Sequence, residues 1–212
     1  MTLGLFPLHV VLFPDSRLPL HIFEPRYRTL IRECWEGGSS FGIHLIDHGH
    51  LYPVGCRATV VEMVEEYDDG RMDIMVQGTG RVRLLEMRTS DKPYAVAEVD
   101  AMEDVAEPVT TELQQQCIDL YHEVLAIAYG SEGEAYTIRS AEPYLSFKIA
   151  PKCGLSLDQK QHLLELTSER VRLEVLHDHL SELLPTLRKA DLVQRIVRND
   201  GYLPAIDSDT TS

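Results

Sequence analysis

The sequence predicts an α+β fold in which a small β-barrel carrying one helix is followed by a helical bundle with one long helix. Three observations predict it. Up to about residue 100, β-branched or apolar runs closed by Gly, Asp or Pro turns dominate. Beyond Pro108 the apolar period changes from that of a strand to that of a helix. The 212 residues, 44% of them hydrophobic, are enough to bury a core without a disulfide or metal. These patterns place a β-rich domain at residues 1–105, a helical domain at 106–206 and a mobile polar tail at 207–212.

The elements follow in order. The opening stretch MTLGLFPLHVVLF lacks a basic leading region, and Pro7, Pro14 and Pro19 interrupt it, so neither a signal peptide nor a membrane span is expected. Leu18, Leu20 and Ile22 alternate with Pro19, His21 and Phe23 as in a strand. Glu24 can cap a helix whose first position suits Pro25, and Glu24 also stands one turn from Arg28, leaving Arg26 free. Tyr27, Leu30, Ile31, Cys34 and Trp35 form the apolar stripe of that helix, and Gly37-Gly38 stops it. Strands are expected at 41–46, 57–66, 72–77, 81–88 and 94–100, with a hairpin at Asp68-Asp69-Gly70 and a turn at Gly78-Thr79-Gly80.

In the second half Leu113, Cys117, Leu120, Tyr121, Val124 and Ala128 share one helical face that ends at Gly130. A short helix is expected at 143–151. Ser156 and Gln159 have capping-box spacing and open a run to Leu184 that Pro185 should close. Leu166, Leu173 and Leu180, seven apart, with Leu176 and Leu183 give that run a packing seam. A last helix is expected at 187–198, ending at Asn199-Asp200-Gly201.

Charge narrows the function. Twenty Lys and Arg stand against 34 Asp and Glu, a formal net charge of -14, which repels phosphate backbones and makes nucleic acid an unlikely class of partner. Cys34, Cys56, Cys117 and Cys153 form no C-x-x-C pair and are expected as free thiols of a cytoplasmic protein. There is no Gly-Lys pair, hence no phosphate-cradling loop, and no cofactor is expected.

Three constellations could carry chemistry. Gly38-Ser39-Ser40-Phe41-Gly42 matches a nucleophile elbow, but a helix precedes it and a strand follows, the reverse of the order that exposes the serine. His44, His48 and His50 could share a metal if a hairpin gathered them, yet no fourth ligand is specified nearby. Glu62, Glu65, Glu66, Asp68, Asp69 and Asp73 crowd one hairpin without calcium-loop spacing, as a solvated acidic tip would. A small hydrolase or metal enzyme using Ser40 or the histidines is therefore the alternative reading. The expected catalytic and metal sets are empty.

The segment LPLHIFEPRYRTLI, residues 18–31, closely resembles the signature of the Lon protease N-terminal, or substrate-binding, domain family. Leu5-Phe6-Pro7-Leu8 and Val11-Leu12-Phe13-Pro14 resemble its opening strand. Phe41-Gly42, Asp69-Gly70-Arg71 and the pair Gly78 and Arg81 resemble later landmarks of its β half. Leu145-Ser146, Lys160-Gln161, Leu163-Leu164-Glu165 and Arg172-Leu173 resemble its helical half. The resemblance implies a PUA-like β-barrel plus a helical bundle, and a non-catalytic module that recognises unfolded or extended polypeptide, in the setting of a protease or chaperone system, through the cleft or the apolar surface between the lobes. Within the signature, Pro19, Leu20, Glu24, Pro25 and Tyr27, with Gly78 and Arg81, are expected to be mainly structural. Leu5, Phe6, Phe13, Leu18, Phe23 and Arg26 are the expected polypeptide contacts, because a segment broken by three prolines cannot pair along its whole length and can leave side chains accessible.

Overall fold

A computed structural model describes residues 1–138 and 143–198. Six strands form one sheet: β1 (Thr2–Leu8), β2 (Arg17–Ile22), β3 (Phe41–Asp47), β4 (His50–Glu66), β5 (Met72–Arg88) and β6 (Val96–Met102). Helix α1 (Pro25–Gly37) lies between β2 and β3 in sequence. The sheet order is β2-β5-β4-β3-β1-β6, and a further β5–β6 ladder returns the last strand to β5. β5 spans 17 residues, long enough to hold two partners in series, β2 along Met72–Gln77 and β6 along Arg81–Arg88. The ladders therefore close a ring of five strands, with β2 outside it and paired to β5 alone among the described residues. β1 and β3 are parallel, and the other pairs are antiparallel.

Gly78-Thr79-Gly80 is not a turn. It lies inside β5 as a bulge opposite Arg57 and Ala58, so the two strands expected at 72–77 and 81–88 are one. The glycine is needed because the loop before β2 docks there. A Cβ on Gly78 would stand 2.3 Å from the Phe13 carbonyl oxygen. The Asp15 N–H donates to the Gly78 carbonyl and the Gly78 N–H to that of Ser16.

Helix α1 buries Tyr27, Leu30, Ile31 and Cys34 against Phe6, Phe41, Ile43, Ile74 and Val76, while Trp35, expected in the same stripe, is exposed. Pro25 occupies the first turn as expected, but Glu24 makes no side-chain cap; it turns to Arg26, not to Arg28. Arg28 instead donates to the Asp69 carbonyl, which ties α1 to the β4–β5 hairpin.

The second half is helical: α2 (Thr111–Tyr129), a 3-10 segment (Gly130–Tyr136), α3 (Leu145–Ile149), α4 (Leu157–Glu165) and α5 (Glu169–Arg198). The Thr110 hydroxyl caps α2 by accepting from the Leu113 N–H. The buried face of α2 includes Ile118 and Leu125 and omits Ala128, so the stripe is rotated from the expected one. The capping box of Ser156 and Gln159 forms in full. The run it opens does not continue to Leu184, because the chain leaves the helix at Leu166–Ser168 and restarts under Ser168, whose hydroxyl accepts from the Val171 N–H. Pro185 does not close α5 either. It has no N–H to offer the Ser181 carbonyl one turn back, and both residues are exposed, so water can take the place of that bond. The expected terminator at 199–201 and the tail at 207–212 lie outside the described residues.

Candidate functional site

Two places gather polar and aromatic groups. The first is the outer face of β2, where alternation turns Leu18, Leu20 and Ile22 toward α1 and leaves Pro19, His21 and the following Phe23 outward. In register with them are Met75 and Asp73 of β5, then Glu62 and Glu65 of β4. Phe23 is 61% exposed, and its ring stacks 6.2 Å from that of His21. Asp73 links this face together, receiving the Tyr67 hydroxyl at 2.6 Å and pairing with His21 Nδ1 at 2.5 Å. The Tyr67 and His21 bonds hold the Asp73 carboxyl below the usual carboxylate range, and Asp73 pushes the Tyr67 phenol up to about 12. The hairpin acids are thus less solitary than expected: Asp69 pairs with Arg71, and Glu66 with Arg32.

The second place is the seam between sheet and helices. Arg81 of β5 donates to the carbonyls of Leu164 and Leu166, at 3.0 and 2.6 Å, and pairs with Asp104. Arg172 of α5 pairs with both Asp104 and Glu169 and donates to the Leu166 carbonyl and the Ser146 hydroxyl. Glu169 in turn accepts from the Ser146 N–H and hydroxyl. Both guanidiniums lie over the Phe147 ring, Arg172 at 4.2 Å and Arg81 at 5.5 Å from its centroid. Burial pulls the Arg81 pKa down against the attraction of Asp104. For Arg172, Asp104 and Glu169 more than offset the burial and hold the pKa above its ordinary value. The node explains the break in the long helix: the carbonyls freed there are taken up by arginine donors. A cleft of about 410 Å³ opens over it, lined by Asp15, Met102, Glu103 and Tyr144 as well as Arg81, Asp104 and Phe147. Asp15 and Tyr144 both have left-handed backbones, φ 61° and 55°.

The expected polypeptide contacts divide. Leu5, Phe6 and Phe13 are 0%, 5% and 1% exposed, which corrects the expectation that they stay accessible. Pro7 and Pro19 lie inside β1 and β2 without interrupting their register, and Phe6 packs against α1 while Phe13 stacks on Phe147, so both rings are core. Leu18 is half-buried, and Phe23 and Arg26 are exposed. Of the other signature residues, Tyr27 is buried with Arg26 over its ring, Leu20 faces α1, and Pro19 and Pro25 are exposed.

The alternative chemistry is not assembled. Ser40 lies between the end of α1 and the start of β3, helix before strand. His44 points into the core, where its Nδ1 meets the Tyr52 carbonyl at 3.1 Å and its Nε2 has no partner among the described residues. His48 and His50 stand in solvent at the β3–β4 turn. No group of three or more His, Cys, Asp or Glu able to hold a metal occurs among the described residues. All four cysteines are free and buried, and burial pushes the Cys56, Cys117 and Cys153 thiols up to about 12. Sequence reasoning missed Asp104 and Glu169, and named Ser146 only as a landmark of the helical half. Their signal is a tertiary one, carboxylates and a hydroxyl placed opposite two buried arginines.

Compared with known proteins, residues 2–182 match the family described as the ATP-dependent protease La (LON) substrate-binding domain. The chain is similar to the Lon protease of Desulfosudis oleivorans, 28% identical over 203 residues that take in 90% of this chain and 25% of that protein. It is 23% identical to the Lon protease of Dictyoglomus thermophilum over 93% of this chain and 26% of that protein. It thus spans about a quarter of the length of these relatives. A solved Lon N-terminal domain protein from Xanthomonas campestris is 29% identical with a TM-score of 0.66, covering 83% of this chain and 96% of that one. The N-terminal domain of the Mycobacterium avium complex Lon protease, 17% identical, shares the fold at a TM-score of 0.64 over 85% of this chain and 98% of that one.

Proposed function

The chain belongs to the ATP-dependent protease La (LON) substrate-binding domain family, and from that premise we propose that it is a non-catalytic module that receives an extended or unfolded polypeptide along the outer edge of β2. The observation that carries the placement is Phe23, 61% exposed just beyond the end of a strand that, among the described residues, pairs on one side only. An edge strand offers backbone donors and acceptors to an added strand, and neighbouring side chains supply selectivity. Here those neighbours are the rings of Phe23 and His21 and, one strand in, the carboxylate of Asp73, with Glu62 and Glu65 a further strand away adding to the negative field, which suits segments that are both apolar and basic. The seam cleft supports this role less well, since the charged groups beneath it are already engaged with each other.

In the same reading the strand ring is a PUA-like barrel and the helices its bundle, with residues 1–105 and 106–206 as the two domains. The setting is cytoplasmic, and the client comes from a protease or chaperone system. Burying about 300 Å² of apolar surface supplies roughly 7 kcal/mol, most of which association and ordering consume, so affinity should be micromolar or weaker. The test is a titration of one fluorescently labelled protein in its unfolded and folded forms. Binding of the unfolded form alone, weakened several-fold by Phe23→Ser, is expected. Equal binding of both forms, or of neither at high micromolar concentration, would remove the proposal.

A further inference from the structure

At the opposite end of β2 from Phe23 lies a groove of about 430 Å³ whose lining, among the described residues, carries Arg17, Lys148 and Lys152 and no Asp or Glu. On a chain of net charge -14 such a lining is against the trend of the surface. Its cations are weakly engaged. The Arg17 guanidinium makes no hydrogen bond or ion pair among the described residues, and Lys148 pairs only loosely with Asp15 at 3.8 Å. Lys152 sits over two rings, 4.6 Å from the centroid of Tyr136 and 5.8 Å from that of Tyr129. Tyr121 also lines the groove, and its hydroxyl makes no hydrogen bond to the described residues. A phenol hydroxyl that lines a groove beside cations can donate to a carboxylate oxygen bound there.

We propose that this groove binds a carboxylate of the polypeptide lying along β2, with Arg17, Lys148 and Lys152 supplying charge and Tyr121 a hydrogen bond. The proposal rests on the polypeptide reading above and adds the end of its track. Arg17 opens β2 and Phe23 follows its last residue, a separation of about 20 Å for extended backbone. A six- to eight-residue peptide can span that distance. A free C-terminus and an acidic side chain offer the same carboxylate, and the experiment separates them.

Three labelled peptides of one apolar sequence are titrated by fluorescence anisotropy against the full chain: free C-terminus, C-terminal amide with a Glu near its end, and acid-free amide. A carboxylate form should bind roughly tenfold more tightly than the acid-free amide, as charge-assisted hydrogen bonds do. Whichever carboxylate form gains names the source. The gain should vanish in Arg17→Gln/Lys152→Gln and shrink in Tyr121→Phe, with far-UV circular dichroism unchanged. Equal affinity of all three peptides, unaltered by the double variant, overturns the groove while leaving binding at Phe23 standing. Loss of unfolded-protein binding at Phe23→Ser bears on the edge strand alone. Titration with acetate, followed at the Arg17 Nε–H by NMR, reads the groove without any peptide, and the absence of a saturating shift there also overturns it.

Discussion

The outer face of β2 and the seam under β5 use the same residue types in opposite ways. At the face, Arg26 and Arg71 stand in water and pair with carboxylates two residues away, Glu24 and Asp69. At the seam, Arg81 and Arg172 are 5% and 0% exposed and pair with Asp104 and Glu169, drawn from the linker after β6 and from α5. Pairs in water contribute little to stability, whereas removing one partner of a buried pair strands a charge. The difference shows which arginines are committed to the fold and which remain available to a ligand.

The comparison can be broken at several points. Asp104→Ala leaves two buried guanidiniums short of their shared carboxylate and should cost about 3–5 kcal/mol in urea unfolding. A loss below about 1 kcal/mol would mean that the seam is no more committed than the face. Ser156→Ala removes one half of the capping box of α4 and should cost about 1 kcal/mol by the same measurement. A smaller, pH-dependent effect belongs to His44, whose burial holds its pKa below the ordinary 6.5. As pH falls through 6.5 the unfolded chain takes up a proton that folded His44 refuses, so stability is full above that pH and declines below it. His44→Asn should flatten the decline, measured as the urea midpoint from about pH 7 to about pH 5, and an unchanged decline would remove His44 as its cause. The smallest effect is expected of Arg26→Ala, about 0.5 kcal/mol or less. If it instead matched the loss in Asp104→Ala, the division between face and seam would not hold.

Much of the strand half was legible because alternation and turn chemistry act locally. Leu18, Leu20 and Ile22 declared their inward face and Asp68-Asp69-Gly70 its hairpin; in the helical half the same local chemistry let Ser156 with Gln159 declare the cap of α4. What failed depended on distant partners. Gly78-Thr79-Gly80 has the composition of a turn, and only the docking of Phe13–Ser16 makes it a bulge. The heptad of Leu166, Leu173 and Leu180 favours one helix, and only arginines from β5 and α5 make a break at Leu166 tolerable. Leu5, Phe6 and Phe13 have the same apolar composition whether exposed or core, so their burial could not be read without their partners. At the face, Phe23 and Arg26 were named from sequence, but the edge position of β2 was not, since strand order is set by pairings as remote as Ile22 with Met72.

The closed ring also bears on the order in which the chain can fold. β1 meets β3 around Leu5 and Gly42 and meets β6 through Thr2 and Glu98, so the first strand made has its final neighbour among the last. Pairings that remote in sequence raise contact order and slow closure. On the ribosome, Leu3 and Leu5 would wait for Val99 and Ala97 to emerge before their shared core could form. The interval before β6 appears is therefore when this chain is most open to capture by a chaperone, or to pairing β1 with the wrong strand.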